Sequence, residues 1–124
     1  MAGAPEVAKV LGSLEAEAME VLWASPAPMS VRSVLEQLNV DRTPPLAYTT
    51  VMTVLARLTE KDILRRERDG RGYVYQAVVR DAASIAVRSV VRDFGEAAVA
   101  GFVDEARADP RLLRRLQKLL DDPS

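Results

Sequence analysis

The chain has 124 residues, is 48% hydrophobic and carries a formal net charge of -1, enough for one modest core or a core plus a small appended unit. Cysteine and histidine are both absent, which removes disulfides, thiolate and imidazole metal sites, and His- or Cys-based nucleophilic catalysis together. No apolar run approaches the roughly 20 residues of a membrane span, and the acidic, interrupted start is unlike a signal peptide, so a cytoplasmic protein with no membrane insertion is expected.

Residues 1–10 show no pattern and are expected to form a loose arm. A first helix reads from Ser13, a candidate N-cap, to Ala24, with Leu14, Ala18, Val21 and Leu22 on one face and Trp23 sealing the core. SPAPMS breaks it. A second helix starts after Ser30 with Val31, Val34, Leu35 and Leu38 inward, and Pro44 and Pro45 mark the connector that follows. The third helix carries Val51, Val54, Leu55 and Leu58 at helical spacing, and Thr49, Thr50, Thr53 and Arg57 on its opposite face.

Asp69-Gly70 then signals a tight hairpin, read as a I′ turn with left-handed φ at both central residues, followed by a strand in which Tyr73 and Tyr75 are assigned to the core. Three helices closed by a hairpin make a winged helix-turn-helix, so the fold class is mainly α with a small β-hairpin. From Arg80 onward the pattern is helical again: a helix capped by Asp81 with Val87, Val90, Val91 and Phe94, a break at Gly95, a stretch with Ala98 and Phe102, and a last helix opened by Asp109-Pro110 with Leu113, Leu116 and Leu120. Residues 1–79 are thus expected to form the winged helix. Residues 80–124 read as a helical dimerisation unit, because three short helices cannot bury that apolar surface alone. The alternative is that they fold back on the first domain and leave a monomer.

Threonine is a poor helix former, so three on one helix ask for a reason. One is recognition: a hydroxyl for a base or phosphate and a methyl for thymine, on a side chain short enough for close approach in a major groove. The other is local: helix initiation by Thr49 and Thr50, and a bond from Thr53 back to a carbonyl. The arginine-rich hairpin downstream favours the first. Specificity is assigned to Thr49, Thr50, Met52 and Thr53, and phosphate positioning to Arg57, Arg65, Arg66, Arg68 and Arg71. No paired-carboxylate spacing, SxxK signature or Gly-rich phosphate loop is present, so no enzyme, cofactor or metal is expected. Two other classes compete: a protein-interaction module with the hairpin as plain surface, and a nucleoid-organising protein without sequence preference.

LAYTTVMTVLARLTEKDIL followed by RDGRGYVY, with LGSLEAEAMEVLW upstream and AAVAGFVDEARADPRLLRRL downstream, closely resembles the penicillinase-repressor family of bacterial regulators (BlaI/MecI type) over nearly the whole chain. The resemblance implies a homodimeric repressor that binds palindromic operators with TACA/TGTA-type half-sites. It also implies, for antibiotic-responsive members, a membrane sensor-protease system that triggers cleavage ahead of a phenylalanine, which corresponds here to Gly101-Phe102. Those members have asparagine where this chain has Gly101. The family usually has glycine where this chain has Asp62, and its copper-responsive branch uses C-terminal cysteines that this chain lacks.

Overall fold

The computed structural model describes residues 6–8 and 10–122. The elements are α1 (Ser13–Ala24), β1 (Met29–Ser30), α2 (Val31–Leu38), α3 (Tyr48–Glu60), β2 (Leu64–Asp69), β3 (Gly72–Ala77), α4 (Ala82–Phe94), α5 (Glu96–Ala108) and α6 (Pro110–Asp121). The first compact unit ends at Arg88 and the second begins at Ser89, inside α4 and beyond the 79/80 boundary expected from sequence. Ile85, in the first turns of α4, is fully buried in the core of the first unit, which therefore extends into that helix.

In the first unit, α1 buries Ala18, Met19 and Leu22, α2 buries Val31 and Val34, and α3 buries Val51, Val54, Leu55 and Leu58. Leu14 and Val21 only pack at the margin of this core, where Met19 takes the central position instead. Each fully buried Leu or Met side chain stabilises the fold by about 1.5–3 kcal/mol relative to exposure. Trp23 is partly buried as a lid, and its indole N–H donates to the Val79 carbonyl at 2.8 Å, satisfying the one polar group the ring carries. The loose-arm expectation fails at Val7, which is fully buried in the same core; residues 1–5 and 9 lie outside the described residues.

Caps follow local chemistry, with one correction. Helix α1 starts after Gly12, which offers no side-chain bond, rather than after Ser13. Ser30 caps α2 by accepting from the Ser33 N–H. Helix α3 ends in a two-bond C-terminal motif: the Ile63 N–H donates to the Leu58 carbonyl and the Asp62 N–H to the Thr59 carbonyl, both at 3.0 Å. Asp62 takes φ +61° to close it, and Leu58 and Ile63 meet in the core beneath, as a Schellman arrangement requires.

The sheet has three strands in order β1-β3-β2, all antiparallel. The short β1, which sequence pattern left as part of a helix break, pairs Met29 with Tyr75 and Ser30 with Val74. The hairpin register pairs Asp69 with Gly72, so its central residues are Gly70 and Arg71. Only Gly70 has left-handed φ, at +62°. The turn is therefore not the I′ type expected; glycine at the first central position alone is the II′ pattern.

The second unit comprises the end of α4 together with α5 and α6. Gly95, at φ +59° and ψ -133°, turns the chain between α4 and α5 in a conformation L side chains rarely adopt. Asp109 caps α6 by accepting from the Arg111 N–H, with Pro110 at the first helical position. Ala106 is the one buried residue among those described in this unit.

Candidate nucleic-acid interface

Helix α3 separates its residues cleanly. With Val51, Val54, Leu55 and Leu58 turned inward, Thr49, Thr50, Met52, Thr53 and Arg57 are all exposed on the outer face. The Thr53 hydroxyl donates to the Thr49 carbonyl at 2.9 Å. Its donor is therefore used within the helix, and what remains outward is a methyl and an acceptor lone pair, suited to a thymine methyl or a base amino group. Thr50, Thr53 and Arg57 also line an open groove of about 480 Å³ against the start of α1, with Gly12, Ser13 and Glu15 on the other wall. Glu15, the one acid there, is held by the Lys61 ammonium at 3.1 Å. Arg57 and the uncapped α1 terminus thus leave the groove a positive field.

The start of α3 is pinned by a residue the sequence reading did not single out. Asn39 accepts from the Leu46 N–H at 2.8 Å and donates to the Leu46 carbonyl at 3.1 Å. Leu46 immediately precedes Ala47, the N-cap of α3, which has no side-chain cap of its own. The same loop is tied to α1 and α2 by Arg42, which donates to the Glu17 carboxylate and to the Leu38 carbonyl.

The hairpin extends from the core as a wing with two unlike faces. Residues opposite each other in the register share a face. Leu64, Arg66 and Arg68 therefore lie with Ala77, Tyr75 and Tyr73, and Arg65, Glu67 and Asp69 lie with Gln76, Val74 and Gly72. The first face begins on the core at Leu64 and Tyr75 and continues outward with two arginines and no acid. The second holds Arg65 bonded to Gln76 at 3.2 Å and paired with Glu67 at 3.7 Å. Arg71 stands at the tip. The four hairpin arginines assigned together from sequence are thus divided, with Arg65 on the acid-bearing side.

Tyr75 is buried as expected, but Tyr73 is 38% exposed. This corrects its core assignment: the strand outruns the core, so the same parity that buries Tyr75 leaves Tyr73 in solvent. The Arg66 guanidinium lies over its ring, 4.3 Å from the centroid, a cation–π contact that holds the arginine extended along the wing. Tyr73 and Asn39 are the two residues of the candidate site that the sequence did not assign to it. A signal for Tyr73 was its closeness to the turn; nothing in the local pattern marked Asn39.

In the second unit, Val90, Val91, Phe94 and Phe102 are exposed, as is Leu120, while Ala98, Leu113 and Leu116 are half-buried; Val87, in the first unit, is exposed as well. Gly101 and Phe102 sit within α5, both exposed. No group of His, Cys, Asp or Glu side chains suited to a metal ion occurs among the described residues, and no helix there is long and apolar enough to cross a membrane.

Three helices with a winged sheet, an exposed polar third helix and a cationic wing face, followed by a helical unit, define a winged helix-turn-helix transcriptional regulator. A family model described as penicillinase repressor matches residues 11–122. Two proteins of Mycobacterium tuberculosis, from strains CDC 1551 / Oshkosh and ATCC 25618 / H37Rv, each carry the name transcriptional regulator BlaI. Each is 42% identical to this chain over 106 residues, covering 80% of it and 75% of the relative. The chain belongs to the penicillinase repressor family, whose members are transcriptional regulators.

Proposed function

We propose that the chain is a homodimeric, cytoplasmic repressor that binds a palindromic operator with TACA/TGTA-type half-sites and leaves it on an inducing signal. The outer face of α3 carries this reading: Thr49, Thr50, Met52, Thr53 and Arg57 are exposed together on the helix that a winged helix-turn-helix inserts into the major groove. Thr49 and Thr50 keep hydroxyls for base edges, Met52 and the Thr53 methyl supply apolar contact, and Arg57, Arg66, Arg68 and Arg71 meet phosphates. Arg65, beside Glu67, contributes less.

A twofold dimer puts two copies of α3 into major-groove segments one helical turn apart, or a multiple of it, so the operator is an inverted repeat. Joining two weak sites raises affinity well beyond either. Release then follows from loss of the dimer. One route is cutting at Gly101-Phe102 by a protease system coupled to a membrane sensor; both residues are exposed, but they lie within α5, so that helix must open locally before the bond reaches a protease.

The test is fluorescence anisotropy with two duplexes, a TACA/TGTA inverted repeat and a scrambled copy, across a salt series. Wild type should prefer the repeat and weaken steeply with salt. Because the Thr53 hydroxyl is spent on Thr49, Thr53→Val should keep most of the affinity while Thr53→Ala loses roughly fivefold, about 1 kcal/mol of methyl contact. Equal binding to both duplexes by wild type would defeat the reading in favour of an architectural protein.

A further inference from the structure

One carboxylate of α1 is held without a partner. Glu20 is half-buried, and its Oε1 is shielded from solvent with no hydrogen bond to any described residue. The other acids placed on this helix are answered: Glu15 pairs with Lys61 and Glu17 with Arg42. A shielded carboxylate oxygen with nothing donating to it costs free energy. Such exceptions in folded proteins call for an explanation, and a water, an ion or a ligand is the usual one.

Glu20 lines an open groove of about 510 Å³, and small-ligand sites run from about 300 to 1,000 Å³. Helix α1 supplies Glu20, Val21 and Ala24, with Ser25 at its C-terminal cap; β1 supplies Met29 and α2 supplies Gln37. The Ser25 hydroxyl is used within its own turn, donating to the Ala27 carbonyl at 2.6 Å and accepting from the Ala27 N–H at 3.3 Å. What faces a ligand is therefore an apolar wall with the Glu20 carboxylate and the Gln37 amide. No lysine or arginine lines the groove, so its negative charge is not answered from within. One carboxylate between apolar walls is also a poor ligand set for a metal ion.

We propose that this groove binds a small organic cation: a primary ammonium, amidinium or guanidinium attached to a compact apolar body. The cation donates to Glu20 in a charge-assisted hydrogen bond, and the Gln37 carbonyl oxygen is available to a further N–H. The apolar body rests on Val21, Ala24 and the adaptable Met29. The groove shares no residue with the outer face of α3 or with the wing, so the inference stands apart from the operator-binding reading.

The test is NMR titration of the isotope-labelled full chain with benzylammonium and benzamidine. Benzyl alcohol keeps the apolar body without the charge, and benzyltrimethylammonium keeps the charge without an N–H donor. Both probes should shift the amides of residues 20–25, 29 and 37 saturably, with a dissociation constant of about 1 mM or below. The two controls should bind at least about tenfold more weakly, since neither offers a charged donor. Glu20→Gln should lose roughly tenfold in probe affinity while the spectrum elsewhere stays that of a folded protein. Ala24→Leu, which narrows the groove and leaves the carboxylate in place, should lose about as much; if one variant fails to fold, the other decides. The inference is overturned if neither probe gives saturable shifts at the groove, or if benzyl alcohol binds as well as benzylammonium. Wild-type probe affinity in a folded Glu20→Gln protein would overturn it too, as would shifts spread evenly over the exposed acids of the chain.

Discussion

Asp62 shows how one residue carries a local cost for the fold. Its φ of +61° closes the end of α3 with two backbone bonds, a geometry that costs an L residue about 1–2 kcal/mol, less for Asp and nothing for Gly. Its neighbours use the Asp62 backbone, the N–H donating to the Thr59 carbonyl at 3.0 Å and the carbonyl accepting from Arg88 at 3.3 Å, and glycine would retain both. Asp62→Gly should therefore stabilise the protein by about 0.5–1 kcal/mol after the extra entropy of an unfolded glycine is subtracted, read as a higher urea midpoint with unchanged slope. Asp81 acts differently. Its carboxylate accepts from the Ser84 N–H at 2.8 Å at the start of α4, and that backbone bond, with a side-chain bond from Ser84, holds its pKa below the ordinary 3.8. A lowered folded-state pKa contributes stability that is present above the unfolded value and lost as pH falls through the folded one. The stability gap between wild type and Asp81→Ala should be constant near neutral pH and close below about pH 3.8, as followed by urea titrations at a series of pH values.

At the scale of elements, hydrophobic spacing made α1, α2 and α3 legible, because Val51, Val54, Leu55 and Leu58 can share a buried face only on a helix. The wing was legible as a hairpin but not in detail. Parity puts Tyr73 and Tyr75 on one face without saying where the core stops, and an Asp-Gly pair does not reveal that Asp69 belongs to the strand and Gly70 opens the turn. The two-residue β1 carries too little pattern to be seen at all. Asn39 was invisible for another reason: its partner Leu46 lies across a proline-containing loop, and side-chain clamps of that kind have no periodicity. The clamp predicts a separable effect. Asn39→Ala leaves the partly buried Leu46 N–H and carbonyl without their partner, costing about 1–2 kcal/mol of stability. At temperatures where the variant remains folded, it should still weaken repeat binding more than scrambled binding, because the entry of α3 loses its fixed position. Hydrogen exchange should show faster opening at residues 46–50 than in α1. Equal losses on both duplexes would reduce Asn39 to a purely stabilising residue.

For the whole molecule, the imbalance of the second unit decides the expected assembly. Among its described residues only Ala106 is buried, whereas Phe94 is 66%, Phe102 56% and Leu120 75% exposed. Two phenylalanines and a leucine left in water forgo about 1.5–3 kcal/mol each, and a helical pair of this size has no other core to compensate. The proposed homodimer would cover this surface with a second copy of itself, a partner that symmetry supplies at no cost in new sequence. The charges agree with this: Arg88, Arg92 and Asp93 are all exposed on α4 around Val91 and Phe94, the polar rim that an apolar contact requires. Placing a carboxylate at the centre of that contact desolvates it without a partner. Phe94→Asp should therefore sediment as a monomer at micromolar concentration while keeping its helical circular-dichroism signal, since residue 94 is exposed and ends α4 without core contacts. Its affinity for the inverted repeat should fall by about two orders of magnitude or more, and its affinity for a single half-site should be nearly unchanged. The half-site comparison matters most, because misfolding would remove both activities, whereas loss of the dimer removes only the gain from joining two sites. A Phe94→Asp protein that remains dimeric with full operator affinity would place the assembly surface elsewhere on the chain.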